Sequence, residues 1–232
     1  MKTPIIIEFN GLPGAGKTSI AKALQQKLEE RGMRTLFQYN RHRLYRNNRT
    51  LVFAPSYWKM IRVASSYAGS LPRRSHFLLV LSIIKYVRMY RYFMVDRPAD
   101  YLIVDQGLIQ AIISLAHCDV LPKTDKLTNL LELMHLNEIP LLIVNCNVSN
   151  ETANSRITSR PFNGCRVEKM SEQERLYALV TQSGNLSFLR GAINVVYPLV
   201  DVVDINTEES VEGAIQRIFS WITQLEKEKN AF

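Results

Sequence analysis

The sequence predicts an α/β fold built on a parallel sheet. Two observations carry that prediction. Five short, apolar, strand-like runs alternate with segments of helical periodicity, and the first run hands over to a helix through a glycine-rich turn. Size and composition agree: 232 residues, 47% hydrophobic and 22% charged, suit a single domain over residues 1–232 with a sizeable core. They exclude a disordered chain, a fibrous repeat and a disulfide-framed miniprotein.

Ile5-Ile6-Ile7-Glu8-Phe9-Asn10 is β-branched, short and ended by glycine, as a buried strand should be. Lys17 to Arg31 reads as a helix with Ile20, Ala23, Leu24 and Leu28 on one face and Gly32 as its stop. Thr35 to Tyr39 is the second strand, followed by an arginine-rich polar segment from Asn40 to Thr50. Tyr57 to Phe93 reads as two helices broken near Gly69 to Pro72. Tyr101 to Asp105 is the third strand. Helical patterns cover Leu108 to Ala116 and Lys126 to Leu136, and Pro140 to Cys146 is the fourth strand. A helix over Glu151 to Arg160 precedes a loop with Pro161, Asn163 and Gly164. Another helix opens at Ser171 with the capping-box signature Ser171-Glu172-Gln173-Glu174. Val200 to Ile205 is the fifth strand, and Glu208 to Lys227 closes the chain as a helix.

Charge is uneven. The chain carries +8, but residues 31–97 hold about fourteen basic side chains and one acid, Asp96, so this stretch is near +13 and the rest near −5. A solvated basic surface accounts for that; so does a site for a polyanion. The basic helical stretch, about residues 41–97, is expected as an insertion on the acceptor side of the domain. Cys118, Cys146 and Cys165 form no C-x-x-C pair, and His42, His76, His117 and His135 show no ligand spacing, so a zinc site is not expected. No signal-peptide pattern occurs, and the apolar run from Phe77 to Tyr92 is broken by Lys85, Arg88 and Arg91. A soluble cytoplasmic protein is expected. The same run permits contact with a membrane surface, though it equally makes an ordinary helix over a core.

Gly11-Leu12-Pro13-Gly14-Ala15-Gly16-Lys17-Thr18 fits G-x-x-x-x-G-K-[ST] at the strand-to-helix junction. Glycines let successive N–H groups turn toward phosphate oxygens, and the helix N-terminus adds partial positive charge. Gly11, Gly14, Ala15, Gly16, Lys17, Thr18 and Ser19 are therefore the expected ATP-phosphate contacts. Lys17 can reach the β- and γ-phosphates, and Thr18 can offer its hydroxyl to Mg²⁺. Asp105 ends an apolar strand and is the expected acidic partner for that metal; a plain loop or N-cap aspartate is the alternative. Glu8 is a second carboxylate expected to be buried, and either acid could serve as a base for an alcohol acceptor.

Asn10-Gly11-Leu12-Pro13-Gly14-Ala15-Gly16-Lys17-Thr18-Ser19-Ile20-Ala21 resembles the opening of the small P-loop nucleoside and nucleotide kinases, thymidylate kinase-like proteins in particular, and also adenylylsulfate kinase. Arg156 and Arg160, followed by a short loop and Arg166, are similar to the lid of thymidylate kinase-like proteins. The resemblance implies a three-layer α/β/α P-loop NTPase fold, a five-stranded parallel sheet of order 2-3-1-4-5, and a lid over about residues 156–169. It also implies that the loop after the fifth strand, Asp204-Ile205-Asn206-Thr207, lies beside the nucleotide. Arg156 and Arg160 stand four apart, so a helix would put them on one face, where guanidinium groups can clamp a transferring phosphoryl group. The chain departs from the thymidylate kinase-like pattern with Asp105-Gln106 where Asp-Arg is usual, and with Tyr39-Asn40-Arg41-His42-Arg43 after the second strand.

Arg41 and Arg43 follow the second strand, and open parallel sheets bind ligands beyond the carboxyl ends of their strands, so these two are the expected acceptor contacts. A basic surface loop is the alternative. Tyr57, Trp58, Tyr67, Phe77, Tyr86 and Tyr90 either wall the acceptor or belong to the core. The reading is an ATP- and Mg²⁺-dependent kinase in which Lys17, Asp105, Arg156 and Arg160 act on the phosphoryl group. Its acceptor is a nucleoside monophosphate or another small anionic metabolite. A nucleotide switch or nucleic-acid-binding protein working through the basic stretch is the other reading, and a homodimer stays open.

Overall fold

The computed structural model of the chain describes residues 3–37, 55–66, 73–116, 124–161 and 166–230. Arg41, Arg43, Tyr67, Asn163 and Gly164 lie outside the described residues, so the expected acceptor arginines and the tip of the expected lid do too.

The elements run β1 (Ile5–Gly11), α1 (Lys17–Glu30), β2 (Thr35–Phe37), α2 (Pro55–Ser65), α3 (Arg73–Asp96), β3 (Tyr101–Val104), α4 (Leu108–Ala116), α5 (Thr124–Glu132), β4 (Leu141–Asn147), α6 (Asn150–Ser159), α7 (Glu172–Val196), β5 (Asp201–Asn206) and α8 (Val211–Asn230). The five strands form one sheet in the order β2-β3-β1-β4-β5, with every pairing parallel. That is the expected order, with the strand that feeds the glycine loop at the centre. The two helices expected over residues 57–93 are present as α2 and α3.

Helices cover both faces of the sheet, which is why its strands are apolar almost throughout rather than alternating. Successive strand residues still divide between the faces. Ile5, Ile7 and Phe9 of β1 pack with Tyr101, Ile103, Leu142, Val144, Val203 and Ile205 under α1 and α8. Ile6 packs with Leu102, Val104, Leu141 and Ile143 under α2, α3, α4, α5 and α7. Glu8 and Asn10, two and four residues beyond Ile6, are buried polar residues of β1 at 0% and 2% exposure. A core strand spends stability to hold such groups, and their placement beneath the glycine loop is therefore informative.

Tyr57, Tyr86 and Tyr90 are core residues, whereas Trp58 and Phe77 are exposed. No helix among the described residues is long and apolar enough to cross a membrane. The capping box opening α7 is formed in both arms. Ser171 Oγ accepts from the Glu174 N–H at 3.4 Å, and the Ser171 N–H donates to Glu174 Oε2 at 2.8 Å. Ser171→Ala should lower stability by about 1 kcal/mol, read from denaturant unfolding at unchanged slope.

Candidate active site

The site is built from the glycine loop outward. Gly14 and Gly16 take left-handed φ values of 81° and 73°, which let the chain curl back at the end of β1. Packing enforces glycine as firmly as the dihedral does. A Cβ on Gly14 would stand 2.6 Å from the Ala153 carbonyl oxygen of α6, and one on Gly11 would stand 2.5 Å from the Cys146 carbonyl oxygen of β4. Gly14→Ala should therefore cost about 1–3 kcal/mol and also reshape the loop, visible as a lower Tm together with weakened nucleotide binding.

Lys17 begins α1 and is 7% exposed. Its Nζ donates to the carbonyl oxygens of Gly11 at 2.9 Å and Leu12 at 2.7 Å, so the ammonium lies along the inside of the loop. Phosphate oxygens entering the loop would meet that charge directly. Gly16 caps α1 without any side-chain hydrogen bond, so the positive end of the helix faces the loop. Ser19 follows in the first turn of α1, where its N–H bonds to the Gly16 carbonyl.

Thr18 and Asp105 meet across 87 residues of sequence: Thr18 Oγ1 donates to Asp105 Oδ2 at 2.6 Å. β3 pairs with β1 so that Val104 sits opposite Glu8, which delivers Asp105 to the level of the loop. Asp105 Oδ1 is buried without a hydrogen-bond partner. A buried carboxylate oxygen left unpaired beside a threonine hydroxyl and a phosphate loop suits a Mg²⁺ shell, whose waters or direct bond would satisfy it. The oxygen-only donor set fits a hard cation. Among the described residues no cluster of three or more His, Cys, Asp or Glu side chains could hold a metal. Cys146 lies close enough to feel the charges of both Lys17 and Asp105, but burial pushes its thiol up to about 12, so it is no nucleophile.

Arg156 crosses onto the loop from α6. Its Nη1 lies 3.5 Å from the Gly14 carbonyl oxygen, and its Nη2 donates to the Thr207 carbonyl oxygen at 2.8 Å. Thr207 is tied back to β4 through its N–H and hydroxyl, both bonded to the Asn147 carbonyl. Arg156 thus joins the glycine loop, α6 and the segment after β5. Next to it, Glu208 accepts from the Ser149 N–H and hydroxyl at the start of α6, and these bonds hold its carboxyl down at about 2.

Arg160 goes elsewhere. α6 ends at Ser159, and Arg160 takes an extended backbone and pairs with Glu168 at 2.8 Å. The expectation of two arginines sharing one helical face therefore meets a helix that stops one residue short of the second. Asp204, in the loop expected beside the nucleotide, pairs with Arg190 of α7 at 2.5 Å and accepts from Asn145 and Asn147.

Glu8 is bonded on both of its carboxyl oxygens. Its Oε2 accepts from Tyr90 Oη at 2.5 Å and its Oε1 from the Ile109 N–H at 2.6 Å. Burial pushes its carboxyl up to about 7 although both bonds oppose the shift. The folded-state value lies above the ordinary one near 4.5, so the fold binds the proton more tightly than the unfolded chain does. The resulting stability is fully present below about pH 4.5 and is lost as pH rises through about 7, on the order of 3 kcal/mol. Glu8→Gln should flatten Tm against pH across that window. Nothing in the run Ile-Ile-Ile-Glu-Phe-Asn singles out Tyr90, 82 residues away, as the partner.

The family model for adenylylsulphate kinase matches residues 3–92. The solved structure of deoxyadenosine kinase from M. mycoides with the products dCMP and dCDP bound superposes with a TM-score of 0.52. It is 16% identical, and the match covers 95% of this chain and 100% of that one. The same enzyme with dATP bound gives a TM-score of 0.51 at 16% identity, covering 94% of this chain and 100% of the other. At this identity the structural likeness is one of fold, and the match to the adenylylsulphate kinase model is confined to the part of the chain that holds the glycine loop, α1, α2 and most of α3. No curated protein sequence matches the chain.

Proposed function

We propose that this P-loop kinase transfers the γ-phosphoryl group of ATP to a small anionic acceptor, with a nucleoside monophosphate as the first candidate and a phosphorylated sugar or similar metabolite as the next. The observation that carries the reading is the 2.6 Å contact between Thr18 and Asp105 at the mouth of the glycine loop. In phosphoryl transfer the protein mostly positions groups and neutralises charge, and these residues suit that work.

In this reading the N–H groups of Gly14, Gly16, Lys17 and Thr18 orient the β- and γ-phosphates, and Lys17 neutralises charge as it spreads over the transferred oxygens. Thr18 and Asp105 would hold Mg²⁺, which when bound would offset the negative charge of the phosphates. Arg156 stands over Gly14 to fix the nucleotide from the α6 side. Arg160 would join it if the ion pair with Glu168 opened as the 156–169 segment closed over the site. Arg41 and Arg43 would receive the acceptor's anionic group. An acceptor that is already a phosphate needs no base.

The test is ADP release from Mg·ATP across nucleoside monophosphates, nucleosides, sugar phosphates and adenylylsulfate. One acceptor class should stimulate release at least tenfold over ATP alone. No stimulation by any class, together with binding to DNA or RNA that falls steeply with salt, would favour the nucleotide-switch reading, which the concentration of basic residues in 31–97 keeps in view.

A further inference from the structure

The turn that carries Asp105 is fastened to α3 on both sides. Tyr86 Oη donates to the Gln106 carbonyl at 2.6 Å, one peptide beyond Asp105. One helical turn further along α3, Tyr90 Oη donates to Glu8, whose other oxygen receives the Ile109 N–H in the first turn of α4. Gly107 lies between these anchors, so closely packed that a Cβ there would stand 2.5 Å from Glu8 Cδ and 2.6 Å from Tyr90 Oη. Residues 105–109 are thus held by two tyrosine hydroxyls from one helix, with the Glu8 carboxylate relaying the second.

Nothing in the core requires polar groups here. Phenylalanine would fill the same volume at Tyr86 or Tyr90, and an apolar residue would suit the face of β1 that Glu8 shares with Ile6. The polar arrangement fixes direction rather than adding burial, and it brackets the turn that carries Asp105, with its unpaired Oδ1.

We propose that Tyr86 and Tyr90, through the Gln106 carbonyl and Glu8, are positioning residues that set the Asp105 carboxylate for Mg²⁺. This rests on the reading of Thr18 and Asp105 as the metal-holding pair. α3 belongs to the basic stretch expected on the acceptor side, so the same two hydroxyls join the acceptor side of the domain to its metal side.

The test measures metal binding, not turnover. Mg²⁺ is titrated calorimetrically into protein saturated with ADP, for the wild type, Tyr86→Phe, Tyr90→Phe and Tyr92→Phe. Tyr92 lies on the same helix and donates to exposed Asp96, away from the Asp105 turn, so Tyr92→Phe is the control for losing a hydroxyl. Supporting offsets of outer-sphere groups typically change metal affinity by about tenfold or more, and that weakening is expected for Tyr86→Phe and Tyr90→Phe, with ADP affinity in EDTA unchanged and Tyr92→Phe like the wild type. A lower Tm with wild-type Mg²⁺ affinity would overturn the proposal and leave the tyrosines structural. Should Tyr90→Phe fail to fold, Tyr86→Phe decides alone, because its bond ends on a backbone carbonyl and strands no buried carboxylate. A wild type that binds ADP but shows no Mg²⁺ step would refute the metal-pair reading itself, and the proposal with it.

Discussion

Lys17→Ala should reduce phosphoryl transfer by at least about 10³-fold while leaving the protein folded. The ammonium is a buried positive charge inside the glycine loop, and its bonds run to carbonyls of that same loop. Removing it deletes the charge that meets the β- and γ-phosphates. It leaves the sheet and the packing of α1 intact, since Ile20, Ala21, Leu24 and Leu28 carry that packing. The expected result is a Tm within a few degrees of the wild type and ADP release at background. A variant that keeps more than a tenth of the stimulated rate would remove Lys17 from the chemistry.

Asp105→Asn should have the next largest effect, about 10²-fold or more in kcat/KM, with a raised requirement for Mg²⁺. Asparagine keeps an oxygen to accept from Thr18 Oγ1, so the contact at 2.6 Å can survive and the fold with it. What it loses is the negative charge, and with it the reason for a cation to settle beside the buried Oδ1. The Mg²⁺ dependence of the rate separates this from a general loss of fitness. If Asp105→Asn shows wild-type activity at the same Mg²⁺ concentration, Asp105 is a loop aspartate with no metal role.

Much of the site was legible because it is local. The glycine loop announces itself in eight consecutive residues, and an acid at the end of an apolar strand can be found without knowing which strand lies beside it. The sheet order came from the resemblance, and the pairing of β1 with both β3 and β4 agrees with it. Contacts between distant segments were not legible. No local signal ties Glu8 to Tyr90, Arg156 to Thr207 or Arg190 to Asp204, because each depends on how α3, α6 and α7 lie on the sheet. Arg160 shows the cost of extending a periodic pattern by one residue: four-residue spacing predicted a shared face, but the helix ends first and Glu168 takes the guanidinium. Glu8 shows a different limit. Burial was foreseeable from its apolar neighbours, whereas its bonding on both oxygens was not.

The most direct measurement is ³¹P NMR of ATP incubated with Mg²⁺, the protein and one acceptor class at a time. Loss of the γ-phosphate resonance, matched by a new phosphorylated-acceptor resonance and by ADP, is the predicted result, with no change for Lys17→Ala. Conversion of the γ-phosphate to inorganic phosphate alone, at a rate indifferent to every acceptor, would contradict a phosphotransferase and leave a nucleotide hydrolase or switch in its place.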